Sequence, residues 1–256
     1  MAPSELPRCT KLTFAGEQQA GEPIRFSTLA RIREPVSRSK SGVQGKVADV
    51  QHGRSRHAES QNEIRAFQIL IATARADEWQ EQPFTLEYHT NGQKHRYTPD
   101  ALVAWGSHQD VVEIKTDREA ELTENQERFR VIGELLTEYA YHFRLWKQSE
   151  ICAEPRLTNV ALVLRYRCAA IPSTERERIR RVYSAVPECR VQELCEVSDA
   201  SIQSVLRLVL EGTLHIDWWE PLTLDSRVSR VPIGHQVWPC APVLEARCEE
   251  CRCHTP

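Results

Sequence analysis

The sequence predicts an α/β protein, and three observations carry that expectation. Over residues 58–150 the hydrophobic spacing changes from helical to strand-like and back, in the order helix, three strands, helix, strand. The chain has 256 residues, of which 41% are hydrophobic, enough for a substantial core. After residue 151 the composition shifts to charged helices, which predicts a second, smaller α+β unit. The expected organisation is a basic arm over 1–57, an α/β domain over 58–150, a second domain over 151–235 and a Cys-rich tail over 236–256.

Charge separates these regions better than the total does. The formal net charge is −3, too balanced for a coat of polyanion, but it is distributed as +5 over 1–57, −7 over 58–150 and −1 over 151–256. The stretch RIREPVSRSKSGVQGKVADVQHGRSRH, residues 31–57, is rich in Arg, Ser and Gly and poor in apolar periodicity. It reads as a segment that orders on a polyanion, or as a solvated linker.

From Glu59 the spacing of Ile64, Phe67, Ile71 and Ala74 predicts a helix with one apolar stripe. Pro83 then introduces the strand FTLEYH, and the turn pair Asn91-Gly92 leads into KHRYTPDALVAW. Ser107-His108-Gln109 separates that run from a third strand, DVVEIKT. Phe129, Ile132, Leu135, Leu136 and Tyr139 recur at helical spacing, and FRLWK follows as a short strand. Beyond Ile151, NVALVLRY is a buried-type run and STERERIRRVYSAV a charged helix. Next come a short helix, a turn at Ser198-Asp199 and a longer helix with Ile202, Val205, Leu206, Val209 and Leu210, stopped by Gly212. That order is similar to a helix-turn-helix or winged-helix unit.

No apolar run approaches the ~18 residues of a membrane span, and the start, MAPSELPRCT, lacks a secretory leader. The expectation is a cytoplasmic protein without membrane contact, its nine Cys reduced rather than paired.

The acidic block holds the chemistry. Asp100 follows Pro99 at the bend of the second run, and the third carries Glu113-Ile114-Lys115. On a strand Glu113 and Lys115 share a face while Ile114 points to the other. Two hard carboxylates on one surface suit Mg²⁺, with Mn²⁺ as a substitute, and the ammonium can stabilise charge in what is attacked. The acid-x-Lys triplet occurs once. Flanked by a helix on each side and a strand with Pro-Asp at its bend, it makes a PD-(D/E)xK nuclease core. Glu63, in Ser60-Gln61-Asn62-Glu63, is the candidate third carboxylate, and the same residues form a capping box in which Glu63 only fastens the helix start.

These residues resemble the TnsA group, endonuclease subunits of heteromeric TnsABC-type cut-and-paste transposases. The resemblance rests on the Arg-rich arm, the Glu59-Ser60-x-x-Glu63 opening, Gln82-Pro83, Arg96-Tyr97-Thr98-Pro99-Asp100, Val112-Glu113-Ile114-Lys115, and Gly212-Thr213-Leu214-His215-Ile216-Asp217 with Pro221-Leu222. Some members carry Gln where Glu113 stands. The resemblance implies a Mg²⁺-dependent DNA endonuclease that cuts the 5′ strands at transposon ends, partnered by a TnsB-like transposase and a TnsC-like AAA+ ATPase. Its implied catalytic residues are Glu63, Asp100, Glu113 and Lys115, with the first three at the metal and Lys115 near the developing charge. The arm residues Arg31, Arg33, Arg38, Lys40, Lys46, Arg54 and Arg56 are the candidate DNA contacts. The winged-helix-like C-terminal unit would bind the ATPase. A stand-alone restriction or repair nuclease, and a non-catalytic adaptor, are the competing readings. In the tail, Cys240, Cys248, Cys251, Cys253 and His254 contain half of a zinc-site pattern or form a reduced tail.

Overall fold

The computed structural model describes residues 7–16, 18–20, 22–26, 29–32, 44–50, 53–73, 79–105 and 108–233. Helix α1 (Gln61–Thr73) buries Ala66, Phe67, Ile69, Leu70, Ile71 and Ala72, a wider face than the predicted stripe, of which Phe67 and Ile71 are buried, Ile64 is half-buried against the core and Ala74 lies outside the described residues. It covers one face of a four-stranded sheet of β4 (Trp79–Glu81), β7 (Ala101–Trp105), β8 (His108–Lys115) and β9 (His142–Lys147), in the order β4-β7-β8-β9. The pairs β4–β7 and β7–β8 are antiparallel, whereas β8 and β9 run parallel. A parallel pair needs a crossover, supplied here by α2 (Asp117–Glu121) and α3 (Thr123–Thr137). Strand alternation divides the apolar residues between two layers. Val103, Val112 and Ile114 join the core on the α1 side, and Leu102 and Val111 join Phe129, Ile132, Leu135 and Leu136 of α3 on the other.

The run read as one strand over 94–105 is two, β6 (Gln93–Tyr97) and β7, because Pro99 has no N–H to continue a ladder. Its partner changes sheet at the same level, from β4 to β5 (Phe84–Thr90) across Gln82-Pro83. Between the pairs Glu81↔Ala101 and Leu86↔Tyr97, residues 82–85 oppose only 98–100, so the hairpin turns a corner with one residue in excess. Gln82 takes up the mismatch at a φ of 41°. It donates its N–H to the Asp100 carbonyl and accepts from the Ile32 N–H. The tip of the β5–β6 hairpin is the expected turn, with Asn91 and Gly92 at φ 50° and 73°.

The expected arm is, in its described parts, built into the fold. Strand β1 (Arg8–Phe14) pairs antiparallel with β5, making a three-stranded sheet β1-β5-β6, and Phe14 packs edge-on against Phe84. Strands β2 (Gly45–Asp49) and β3 (Arg54–Ala58) form a ribbon whose Val47 and Ala58 enter the α1 core. Arg33, Arg38 and Lys40 lie outside the described residues.

The C-terminal region runs α4 (Gln148–Ile151), α5 (Arg156–Leu164), α6 (Ser173–Ala185), β10 (Glu188–Arg190), α7 (Val191–Ser198), α8 (Ile202–Leu210) and β11 (Arg227–Ser229). The buried-type run at 159–166 is thus mostly helix α5. The turn between α7 and α8 has Asp199 in the left-handed region and Ser201 capping α8 through the Ser204 N–H. Strands β10 and β11 pair antiparallel, and His215 bridges to Ser229. One apolar cluster extends from Phe67, Trp79 and Val112 to Val160, Leu194, Val209 and Val228, so residue 151 marks a change of composition and not a break in the core. Trp218 is part of that core, while the Trp219 ring lies 4.7 Å from the Arg156 guanidinium. Among the described residues no helix is long and apolar enough to cross a membrane. The Cys-rich tail lies outside the described residues.

Candidate active site

The corner of the hairpin holds Asp100 on three sides. Its N–H donates to the Val112 carbonyl and its carbonyl accepts from Gln82, both at 3.1 Å. Its Oδ2 accepts the Ile114 N–H at 2.7 Å. This last bond ties Asp100 to β8 between the two other candidates. Glu113 Oε1 meets Lys115 Nζ at 2.7 Å, on the shared strand face, and Lys115 Nζ also donates to the Ile114 carbonyl. Glu113 is 5% exposed, and its Oε2 is buried without a hydrogen-bond partner. Ile114 points the other way, into the core beneath α1.

Glu63 stands at the start of α1 with both oxygens engaged. Oε2 accepts the Glu59 N–H at 2.8 Å and Oε1 the Ser60 hydroxyl at 2.9 Å, while the Glu63 N–H donates to Ser60 Oγ. The capping role is therefore realised, and Glu63 reaches Asp100 and Lys115 only through its field. Among the described residues no three His, Cys, Asp or Glu side chains form a ready-made metal centre. The residues present still fit a hard cation of low protein-ligand number: Glu113 offers a buried oxygen with no other partner, and Mg²⁺ commonly keeps several waters.

Electrostatics agree with two close carboxylates and one ammonium. Burial pushes the Asp100 carboxyl well up, and Glu113 and Glu63 push it further, against Lys115 and the Ile114 N–H. Burial also raises Glu63, against the hydrogen bonds from Glu59 and Ser60. For Lys115 burial acts downward, but Glu113 and Asp100 outweigh it, so the ammonium is held above its ordinary value and stays charged.

A stability prediction follows from Asp100. A carboxyl whose pKa rises on folding imposes no penalty below its unfolded value, and the penalty grows to its full size as pH rises through the folded value. Asp100→Asn keeps an acceptor for Ile114 and removes that penalty. Metal-free Asp100→Asn protein should be more stable than wild type at pH 8, by on the order of 1 kcal/mol, with the gain vanishing toward pH 4. Urea denaturation in chelator at the two pH values reads it.

The basic candidates separate. Lys46 is exposed on β2. Arg31 is half-buried and pairs with Glu81 at 3.5 Å, and Arg54 donates to Gln80 Oε1. Arg56 is not a surface contact: it is 1% exposed and clamped by Asp49 and Glu81. Sequence reasoning missed Gln82, Tyr97 and Arg128 as parts of the site. Tyr97 stands next to the corner with a buried, unpartnered hydroxyl, under the Arg128 guanidinium. Position 97 lies in a motif with Asp100, which was a signal for it, while nothing local marks Arg128.

Two carboxylates and a lysine gathered where two sheets meet define a class of site suited to hydrolysis of phosphate esters. Residues 74–148 match the family of TnsA-like endonucleases, N-terminal part, and the match takes in Asp100, Glu113 and Lys115. This segment is similar to the N-terminal part of TnsA-like endonucleases, as the motifs led us to expect. No curated protein matches the chain.

Proposed function

We propose that the chain is the Mg²⁺-dependent DNA endonuclease subunit of a TnsABC-type cut-and-paste transposase, cutting the 5′, non-transferred strands at transposon ends. The observation that carries the proposal is the meeting of Asp100, Glu113 and Lys115 at one corner within the TnsA-like segment. The order β4-β7-β8-β9 with its single parallel pair supports a PD-(D/E)xK reading of the core.

In this reading Asp100 and Glu113 hold Mg²⁺, or Mn²⁺ in its place. When bound, the cation neutralises phosphate charge and makes water a better nucleophile. Asp100 is fixed by the Ile114 N–H, so its other oxygen is presented at a set angle. Lys115 keeps its proton and stands where charge develops on the phosphate. Glu63 holds the start of α1 and adds negative field behind Asp100. Lys46, Arg31 and Arg54 on or beside the β2–β3 ribbon supply cations for backbone phosphates. The helices α7 and α8 with the β10–β11 pair read as a winged-helix-like unit. Its region is close to neutral, which favours a protein partner, a TnsC-like AAA+ ATPase, over groove reading.

The test is excision of a donor element by the chain with a TnsB-like transposase, a TnsC-like ATPase and Mg²⁺, mapping both strands at each end. Breaks in both strands, with the 5′ cuts absent when the chain is omitted, are the expected result. Efficient cutting by the purified chain alone would instead favour a stand-alone nuclease.

A further inference from the structure

Two buried polar atoms at the corner lack hydrogen-bond partners, and they belong to neighbouring side chains. Tyr97 is 1% exposed, its ring packed in the apolar cluster with Leu102, Val111 and Phe129, and its hydroxyl makes no hydrogen bond. Glu113 Oε2 is the other such atom. Burying a hydroxyl without a partner is unfavourable, and Phe at position 97 would fill the same space without that penalty. Glu113 leaves β8 on the same face as Val111, which packs in the Tyr97 cluster, so the phenol and the carboxylate lie in one layer of the sheet; a phenol O–H donates and a carboxylate accepts. The phenol is therefore a donor facing an acceptor. The Arg128 guanidinium lies over the ring, 5.9 Å from its centre.

We infer that Tyr97 is a positioning residue for Glu113, its hydroxyl donating to Oε2 while Lys115 holds Oε1. The inference rests on the reading of Asp100 and Glu113 as a cation-binding pair. Held at both oxygens, the carboxylate has one orientation, and its remaining lone pairs face the cation. The Tyr97 bond closes when a cation fixes the Glu113 rotamer, as hydrogen bonds at such sites commonly tighten on loading. Outer hydrogen bonds to a carboxylate ligand are typically worth about 10–100-fold in metal affinity.

The experiment is calorimetric titration of Mn²⁺ into the full chain, wild type and Tyr97→Phe, together with the Tm of each metal-free protein. The expected result is an unchanged or higher metal-free Tm for Tyr97→Phe and Mn²⁺ binding weaker by about tenfold or more. Equal Mn²⁺ affinity in the two proteins would overturn the role of Tyr97 and leave the cation site standing. A lowered metal-free Tm would show the hydroxyl to be spent on the fold and would also overturn the role. Absence of Mn²⁺ binding to the wild type would remove the cation site itself, and the inference with it.

Discussion

In the proposed excision reaction, Asp100→Ala is expected to eliminate the 5′-strand cuts at both element ends, by about a thousandfold or more in rate, while 3′-strand nicks by the proposed partner transposase persist. The substitution removes one of the two carboxylates proposed to hold the cation and also the acceptor for the Ile114 N–H that ties the corner to β8. Lys115→Ala should also suppress the 5′ cut, by about a hundredfold or more, through a different loss. It takes away the ammonium proposed to face the phosphate and frees Glu113 Oε1, leaving both proposed cation ligands in place. The two variants therefore separate in Mn²⁺ titrations: Asp100→Ala loses binding and Lys115→Ala retains it. Strand-specific mapping of excised ends provides the rates. Undiminished 5′ cutting by Asp100→Ala would overturn the assignment of the site.

Much of this site is legible in the sequence because it depends on local rules. A two-residue period puts Glu113 and Lys115 on one face whatever the rest of the chain does, and Pro99 marks the bend that carries Asp100. Ser60 and Glu63 are legible as a cap for the same reason, since the bonds they make span three and four positions. The hidden parts depend on pairings across long separations. Strand β1 lies some 75 positions from its partner β5, and its seven residues RCTKLTF have Phe14 in the core, with Cys9 and Leu12 only partly buried against it. The change of sheet between β6 and β7 is encoded by Pro99 together with Gln82 on the opposite strand, and no window containing one contains the reason for the other. Continuity of the core through residue 151 arises from α5 packing on α1, which charge and composition do not report.

Arg56 is the clearest case of a residue whose type misleads, and its replacement is expected to have the largest effect on stability. In the sequence it is one of several cations in a basic stretch; in the fold it is 1% exposed and makes a compact network. Its Nε and Nη2 donate to Asp49 Oδ2 at 3.2 and 3.1 Å, and its Nη1 donates to Glu81 Oε2 at 2.9 Å and to Gln80 Oε1 at 3.3 Å. The guanidinium also lies 4.2 Å from the centre of the Trp79 ring. Asp49 is 0% and Glu81 2% exposed, so Arg56→Ala would take the guanidinium away from two buried carboxylates, of which Glu81 keeps a second cation in Arg31. Breaking a buried pair in this way typically costs about 3–5 kcal/mol, which for a chain of this size lowers Tm by roughly 10 °C. Arg56→Lys should recover little, because an ammonium cannot reproduce the fork toward two carboxylates and the stacking on Trp79. Arg56→Met combined with Asp49→Leu and Glu81→Gln, which removes the charges together, should recover most of the loss. Thermal melts of the three variants distinguish this network from a DNA contact, since a surface arginine would leave Tm unmoved. The network also bears on the proposed cation site: Glu81 precedes Gln82, whose N–H supports Asp100, so Arg56→Ala should weaken any Mn²⁺ binding there although its side chain does not touch the site.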